Sequence, residues 1–373
     1  MTAGAGISPD SGRVQTSDSA PAGWAGLLAV CPEADYPHTE HWQESVCRHQ
    51  LRARPKWWSV WRDGQLVGGL GAVLTAGFRR LGGVLPLDRL DSGYEGTSGG
   101  PVILPTLPPA VQDQVFVSLV QAYLAARPWG RGTVALALNP SSEARYGHLT
   151  PGGAGWIRQD SPTAMVSLAG GIETVASDRL VMNKRNERNR GLRRGAEVFV
   201  THDPQLLTEY YAIYAAASAH WGIRPTPLGL LQELLADPDD HVFFTCVRLD
   251  GKVIGGHLCL HFGSRVFAWN GVTDPAFART HFPATLCFWG DMVEACRREA
   301  LWLDFGASGG VHSLVGFKKY FGATLLQRGY YVNDGAVLRT LRRGSQLVGR
   351  VRHSVSTRWH DGSTGEKRSG GGR

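Results

Sequence analysis

Leu301–Gly322 holds the residue types best suited to chemistry: Leu-Trp-Leu-Asp-Phe-Gly-Ala-Ser-Gly-Gly-Val-His-Ser-Leu-Val-Gly-Phe-Lys-Lys-Tyr-Phe-Gly. Leu301–Phe305 is a short apolar run with an acid, Asp304, inside it, and predicts a buried strand. Gly306, Gly309 and Gly310 break the run, with Ser308 between them. A short helix follows, with Leu314, Phe317 and Phe321 on one face. At about 100° per residue, Lys319 falls opposite that face and Lys318 on its border. A border lysine can bury its stem and aim its ammonium into a cleft, where it can stabilise a developing oxyanion. Asp304 reads as a hydrogen-bonded structural acid or as a group orienting an amine, and the structural role is favoured.

A second constellation is basic. Arg179–Arg194 holds seven basic residues against Glu187 alone. The segment predicts a helix over 177–195, N-capped by Ser177. It has almost no apolar stripe, so a core position is excluded. Lys184 with Arg188, and Arg190 with Arg194, are like-charge i,i+4 pairs that cost stability without counter-anions. Arginine forks match phosphate oxygens, so Lys184, Arg185 and Arg190 are candidate contacts to a polyanion. A solvated surface helix is the plainer alternative.

Composition sets the frame for both. The chain has 373 residues, 43% of them apolar, a formal charge of +7 and a pI of about 9.2. That is enough for two domains with their own cores. The positive charge is concentrated in 179–194 and in 339–373, and the rest is acidic on balance. Two basic patches on a near-neutral body suit nucleic acid or a phosphorylated substrate. Six cysteines show no Cys-x-x-Cys and no paired histidine spacing, so free thiols in a reducing, cytoplasmic setting are expected, with no metal and no disulfide framework. No signal peptide is read at the N-terminus, and no run reaches the ~20 apolar residues of a membrane span.

The elements that would position these residues come in duplicate. Trp57–Leu74 reads as a hairpin turning at Asp63-Gly64, and Asp250-Gly251-Lys-Val-Ile-Gly-Gly256 repeats Asp63-Gly64-Gln-Leu-Val-Gly-Gly69. Each hairpin is followed by a helix and a strand. The first pair is Val111–Ala126 and Thr133–Leu138. The second is Ala284–Arg298, with Leu286, Trp289, Val293 and Cys296 inward, and Leu301–Phe305. The same order twice predicts two copies of one α/β unit. Further helices are predicted over 39–50, over 204–219, and between Thr226-Pro227 and Asp237-Pro238, with a strand over 163–168. Residues 1–23 and the tail from 361 read as disordered.

The strand end Asp304-Phe-Gly-Ala-Ser308 followed by Phe317-Lys-Lys-Tyr-Phe-Gly322 resembles the C-terminal signature of the Fem-type (FemAB-like) acyltransferases. Arg193-Arg-Gly-Ala-Glu-Val198 with Lys184-Arg185 is similar to the family's interdomain basic helix. The resemblance implies an α/β (α+β) fold of two tandem GNAT-like domains, at 24–165 and 166–335, with a basic segment at 336–373. It places the motif lysine at Lys318, beside Phe317 and Ser308. It puts an acceptor cleft along Leu90–Pro101, with Asp91, Ser92, Tyr94 and Glu95 as contacts. It implies a monomeric bacterial acyltransferase that moves an aminoacyl group from aminoacyl-tRNA to an amine, with no cofactor. The coiled-coil arm of some relatives is absent. An acyl-CoA donor is the alternative. The nearest pyrophosphate-binding string, Arg188-Asn-Arg-Gly-Leu-Arg193, lacks the final small residue and follows no strand. A non-catalytic RNA-binding module is a third reading, which would have no need of Lys318. No Ser-His-Asp order or nucleophile elbow is visible, so direct attack on an activated ester is expected.

Overall fold

A computed structural model of the chain describes residues 13–76, 88–127, 132–150, 156–309 and 311–335. The basic segment read at 336–373 and the first twelve residues lie outside them. The strands are β1 (Val14–Ser17), β2 (Ala53–Arg62), β3 (Gln65–Thr75), β4 (Arg89–Asp91), β5 (Val102–Ile103), β6 (Thr133–Leu138) and β7 (Trp156–Asp160). They continue with β8 (Thr163–Ser167), β9 (Glu197–Thr201), β10 (Val242–Leu249), β11 (Lys252–Phe262) and β12 (Arg265–Thr273). The last are β13 (Trp302–Ala307), β14 (Thr324–Leu326) and β15 (Gly329–Asp334). The helices are α1 (Trp24–Val30), α2 (Glu40–His49), α3 (Pro109–Ala125), α4 (Pro140–Tyr146) and α5 (Gly171–Thr174). Then come α6 (Met182–Arg193), α7 (Pro204–Trp221), α8 (Leu228–Leu235), α9 (Pro283–Arg297) and α10 (His312–Lys319).

The strands form two sheets of one design. The first runs β1-β2-β3-β4-β6-β15-β7, with β5 on β3; the second runs β9-β10-β11-β12-β13-β8-β14. In each, the pair at the fourth and fifth positions is parallel, β4 with β6 and β12 with β13, and the neighbouring pairs are antiparallel. The repeated hairpins occupy the second and third positions of both sheets. Asp63 (φ 50) and Gly64 (φ 75), like Asp250 (φ 49) and Gly251 (φ 80), have the positive φ at both central residues that a type I′ turn demands. Even the register shift recurs three residues before each aspartate, at Val60 and Val247.

The units exchange strands. From the edge strand β7 the chain crosses through Ser161-Pro162 into β8, inside the second sheet. From the edge strand β14 it crosses back through Gln327-Arg328 into β15, which pairs with β6 and β7 of the first sheet. Residues 329–334, read with the second unit, therefore complete the first. The disorder expected over residues 1–23 is corrected for the described part, 13–23. Val14–Ser17 adds a four-residue edge strand to the sheet, with Val14 opposite Val60 and Thr16 opposite Trp58.

A continuous core joins the units: Tyr36, Trp42, Val46 and Val73 of the first pack with Leu207, Tyr210, Leu231, Phe244 and Leu258 of the second. Arg265 of β12 bonds Asp35, which also accepts from Asn139 Nδ2 at 2.7 Å. Three corrections concern helix faces. Ser177 caps nothing; it sits in a π-turn, and α6 begins at Met182 without a side-chain cap. The inward face of α9 is Leu286, Cys287, Gly290, Asp291 and Ala295, while Val293 is exposed. Gly290 lets the helix approach, since a Cβ there would meet Thr245 and Val198 at under 3 Å. On α10, Leu314 is exposed, so the buried face is Lys318 with Phe321 just beyond the helix, flanked by the half-buried Phe317. All six cysteines are free. Among the described residues no helix is long and apolar enough to cross a membrane.

Candidate active site

The parallel pairing of β12 with β13 lasts three residues, Arg265 to Phe267 against Trp302 to Asp304. Beyond it the strands part. β13 turns at Gly306 (φ 75), where the positive φ favours glycine. Two side chains hold this turn. Asp304 Oδ1 accepts from Gly306 N at 2.8 Å and from the Thr163 hydroxyl. Lys318 Nζ donates to Gly306 O at 2.8 Å and Ala307 O at 3.1 Å. Asp304 thus holds the Gly306 turn through Oδ1. Lys318 is 3% exposed and Lys319 is exposed, as the helical-face argument requires. Burial pulls Lys318 down to about 8, against the raising influence of Asp304. The Ser308 hydroxyl, two residues past the turn, is buried without a hydrogen-bond partner among the described residues.

Around Lys318 the charges are dense. Asp304 acts electrostatically on Arg265 and Arg328 as well as on Lys318. Arg328 lies on the crossing linker; it is 7% exposed, its guanidinium donates to Gly96 O at 3.0 Å, and its Nε has no partner among the described residues. It lines a cavity of about 420 Å³ with Arg89, Asp91, Tyr94, Glu95, Ser161 and Tyr330. This cavity therefore contains three of the contacts expected from the Leu90–Pro101 loop, Asp91, Tyr94 and Glu95. Asp91 is committed on both oxygens: it accepts from Arg89 Nε at 2.8 Å and from Gly93 N at 3.0 Å. Tyr94 is half-buried, and the adjacent Glu95 backbone accepts from Trp269 Nε1 of β12 at 3.1 Å, tying the loop to the second sheet.

The basic helix α6 packs on α9. Lys184 is a correction as a polyanion contact. It is buried, donates a hydrogen bond from Nζ to Glu187 Oε2 at 2.6 Å, and its Nζ lies 4.4 Å over the Phe317 ring. Glu187 also accepts from Thr285 of α9 at 2.6 Å. Phe317 thus positions α6 against α10. The arginines differ: among the described residues none of Arg185, Arg188, Arg190, Arg193 and Arg194 has a carboxylate partner. Arg185 and Arg188 are neighbours, Arg188 lies over Trp289, Arg190 over Phe282, and Arg194 donates to Thr280 O at 2.6 Å. Arg185 Nε is buried and has no partner among the described residues.

Lys318, Asp304, Ser308 and Phe317 come together at one end of the β12–β13 gap. Asp91 and Tyr94 lie in the neighbouring cavity, and Arg185 and Arg190 on the helix beside α9. The sequence reading missed Arg89, Arg328 and Tyr330. Arg328-Gly-Tyr-Tyr331 gave one signal, a lone arginine between two apolar strands, but its place depends on the strand exchange.

Residues 180–318 match the family model of an acetyltransferase (GNAT) domain. No curated protein matches the sequence. Among solved structures, FemX is similar at a TM-score of 0.63 and 13% identity, over 88% of this chain and 99% of that one. The C-terminal domain (DUF2156) of a putative lysylphosphatidylglycerol synthetase from Agrobacterium fabrum matches at 0.51 and 15% identity, over 76% and 85%. L-PGS from Bacillus licheniformis matches at 0.50 and 12%, over 86% and 93%. With two sheets of one strand order, each built around a central parallel pair, the chain has the fold of a Fem-like tandem GNAT protein.

Proposed function

We propose that the chain is an acyltransferase that forms an amide, with the acyl donor in the β12–β13 gap and the amine-bearing acceptor in the cavity of Arg89, Asp91, Tyr94 and Arg328. The observation that carries this reading is the buried Lys318 ammonium at the open end of the gap. Two of its hydrogens are held by backbone carbonyls, which fixes the nitrogen and leaves a third for a carbonyl oxygen that gains charge during attack. Two arginines and two acids around the cavity suit an acceptor carrying both signs of charge.

The α6 arginines favour a polyanionic donor, aminoacyl-tRNA, because they present cations with no carboxylate among the described residues to neutralise them. The names of the L-PGS neighbours fit aminoacyl chemistry. An acyl-CoA donor is the second reading, supported by the acetyltransferase family match. The test is to incubate the protein with a pool of charged tRNAs, and separately with acyl-CoAs, in the presence of amino acids and short peptides. Mass spectrometry then reads new amides. Transfer from charged tRNA is the expected result, transfer only from acyl-CoA replaces the donor, and transfer from neither overturns the reading.

A further inference from the structure

His257 of β11 is 5% exposed, and its Nδ1 lies 2.5 Å from Oδ2 of Asp291 on α9. Asp291 is fully buried, and its other oxygen accepts from Cys259 Sγ at 3.3 Å. A carboxylate only accepts, so Nδ1 carries the proton and Nε2 of the neutral ring keeps a lone pair. Nε2 makes no hydrogen bond to the described residues. The ring reaches sideways across β12. A Cβ on Gly271 would lie 2.7 Å from Nε2 and 2.3 Å from Cδ2, so only glycine leaves room for it. Gly271 is exposed, and it sits beyond Phe267, where β12 has lost β13 as a partner. Phe288 packs edge-on against the imidazole at 4.6 Å and against Phe305 of β13 at 4.5 Å, so one aromatic ring spans from the histidine to the far wall of the gap.

We infer that His257, oriented by Asp291, is the proton-transfer residue of the β12–β13 gap. The inference rests on the acyl-transfer reading above. As the amine nitrogen bonds to the acyl carbon, the bond from that carbon to the donor oxygen or sulphur breaks. The proton lost by the amine passes to Nε2, and from Nε2 to the leaving oxygen or sulphur. Asp291 is a positioning residue that fixes the tautomer and steadies the imidazolium. The titratable groups packed around the ring are Asp291 and Cys287 on α9 and Cys259 on β11; burial pushes both thiols up, so they stay neutral. β12 presents Gly271.

Two measurements test this on the full chain. In the first, the donor pools above are used with wild type, His257→Gln, Asp291→Asn and Lys318→Met, after circular dichroism has established folding. His257→Gln should lower kcat by about 10²-fold, the lower range for general acid–base catalysis, and abolish the acid limb of the pH profile. Asp291→Asn should shift that limb, and Lys318→Met should lower kcat but keep it. Wild-type kcat and an unchanged acid limb in His257→Gln overturn the inference while leaving the acyltransferase reading intact. In the second, folded protein is treated with diethyl pyrocarbonate and the modified histidines are mapped by mass spectrometry, which needs no donor. Modification at His257 that slows several-fold in Asp291→Asn supports an accessible, oriented base. A His257 that stays unmodified overturns it, whatever the donor.

Discussion

The two central parallel pairs start alike and end differently. Asp91 faces Ala135 in the first sheet, and Phe267 faces Asp304 in the second. Two residues further along stand Ala137 and Gly306. In the first sheet the chain closes its own gap. Ser92 N donates to Ala135 O at 3.0 Å, Ala137 N donates to Ser92 Oγ at 2.9 Å, and Gly99 N donates to Ala137 O at 2.8 Å. Gly93 and Gly99 let the loop fit: a Cβ on Gly93 would be 2.3 Å from Ala137 Cβ, and one on Gly99 1.8 Å from Ser92 O. In the second sheet no loop does this, and the carbonyl equivalent to that of Ala137 accepts from Lys318 Nζ. A strand that loses its neighbour must satisfy its backbone elsewhere. One copy does so with a plug and the other with a cation. The duplicated fold thus has one gap sealed and one gap charged, and the charged one is the proposed site of acyl transfer.

The strongest way to break this comparison is to remove the cation. Lys318→Met should lower turnover by roughly 10²–10³-fold in the donor assay, while Lys319→Ala stays within about twofold. The substitution also strands two carbonyls in a buried turn, so a destabilisation of about 1–3 kcal/mol is expected by urea titration. Equal activity in the two variants would show that the charge has no catalytic part.

Spoiling the plug should leave a different signature. Gly99→Ala forces a Cβ into Ser92 O and should cost about 3 kcal/mol in denaturant stability. Gly316→Ala on α10, where nothing lies within 4 Å, should be neutral or slightly stabilising. Equal stability of Gly99→Ala and wild type would mean that the first gap is not closed in solution.

The pH dependence sharpens the contrast, because the second gap is held by a buried ammonium. Lys318 is drawn down by burial to about 8, so its cation is lost as pH rises through 8, and turnover should fall on that limb. The stability effect has the opposite sign. Between about 8 and the ordinary lysine value near 10.4, the unfolded chain binds the proton that the folded chain has released, so stability should rise with pH through this window. Comparing urea midpoints of wild type and Lys318→Met at pH 7 and pH 9.5 isolates this contribution. A smaller effect concerns α6: Arg185→Glu with Arg190→Glu should weaken tRNA binding and flatten its salt dependence, without changing the melting temperature by more than a few degrees. Unchanged salt dependence in a filter-binding titration would leave α6 as a solvated helix.

Much of this was legible in the sequence, for local reasons. The two Asp-Gly hairpins, Thr133–Leu138 and the burial of Lys318 against exposed Lys319 all follow from turn chemistry and periodicity. Lys184 was misread because a charge run hides which member faces inward; its partners Glu187 and Phe317 are fixed only once α6 meets α9 and α10. Arg328 and His257 escaped notice because their partners lie far away in the chain. Gly96 is 232 residues from Arg328, and Asp291 is 34 residues from His257.

The strand exchange has a consequence for biosynthesis. β6 leaves the ribosome long before β15; the hydrogen bond from the Thr133 hydroxyl to Asp334 spans 201 residues. The first unit to be synthesised is therefore the last to be finished, and until β15 arrives β6 carries an unpaired apolar edge. Such an edge invites pairing with another nascent chain. The second unit has no such delay, since β8 precedes the strand β13 that it must join. Folding order thus runs against chain order, and the elongating protein spends most of the interval between these strands with a vacancy beside β6 that β15 fills.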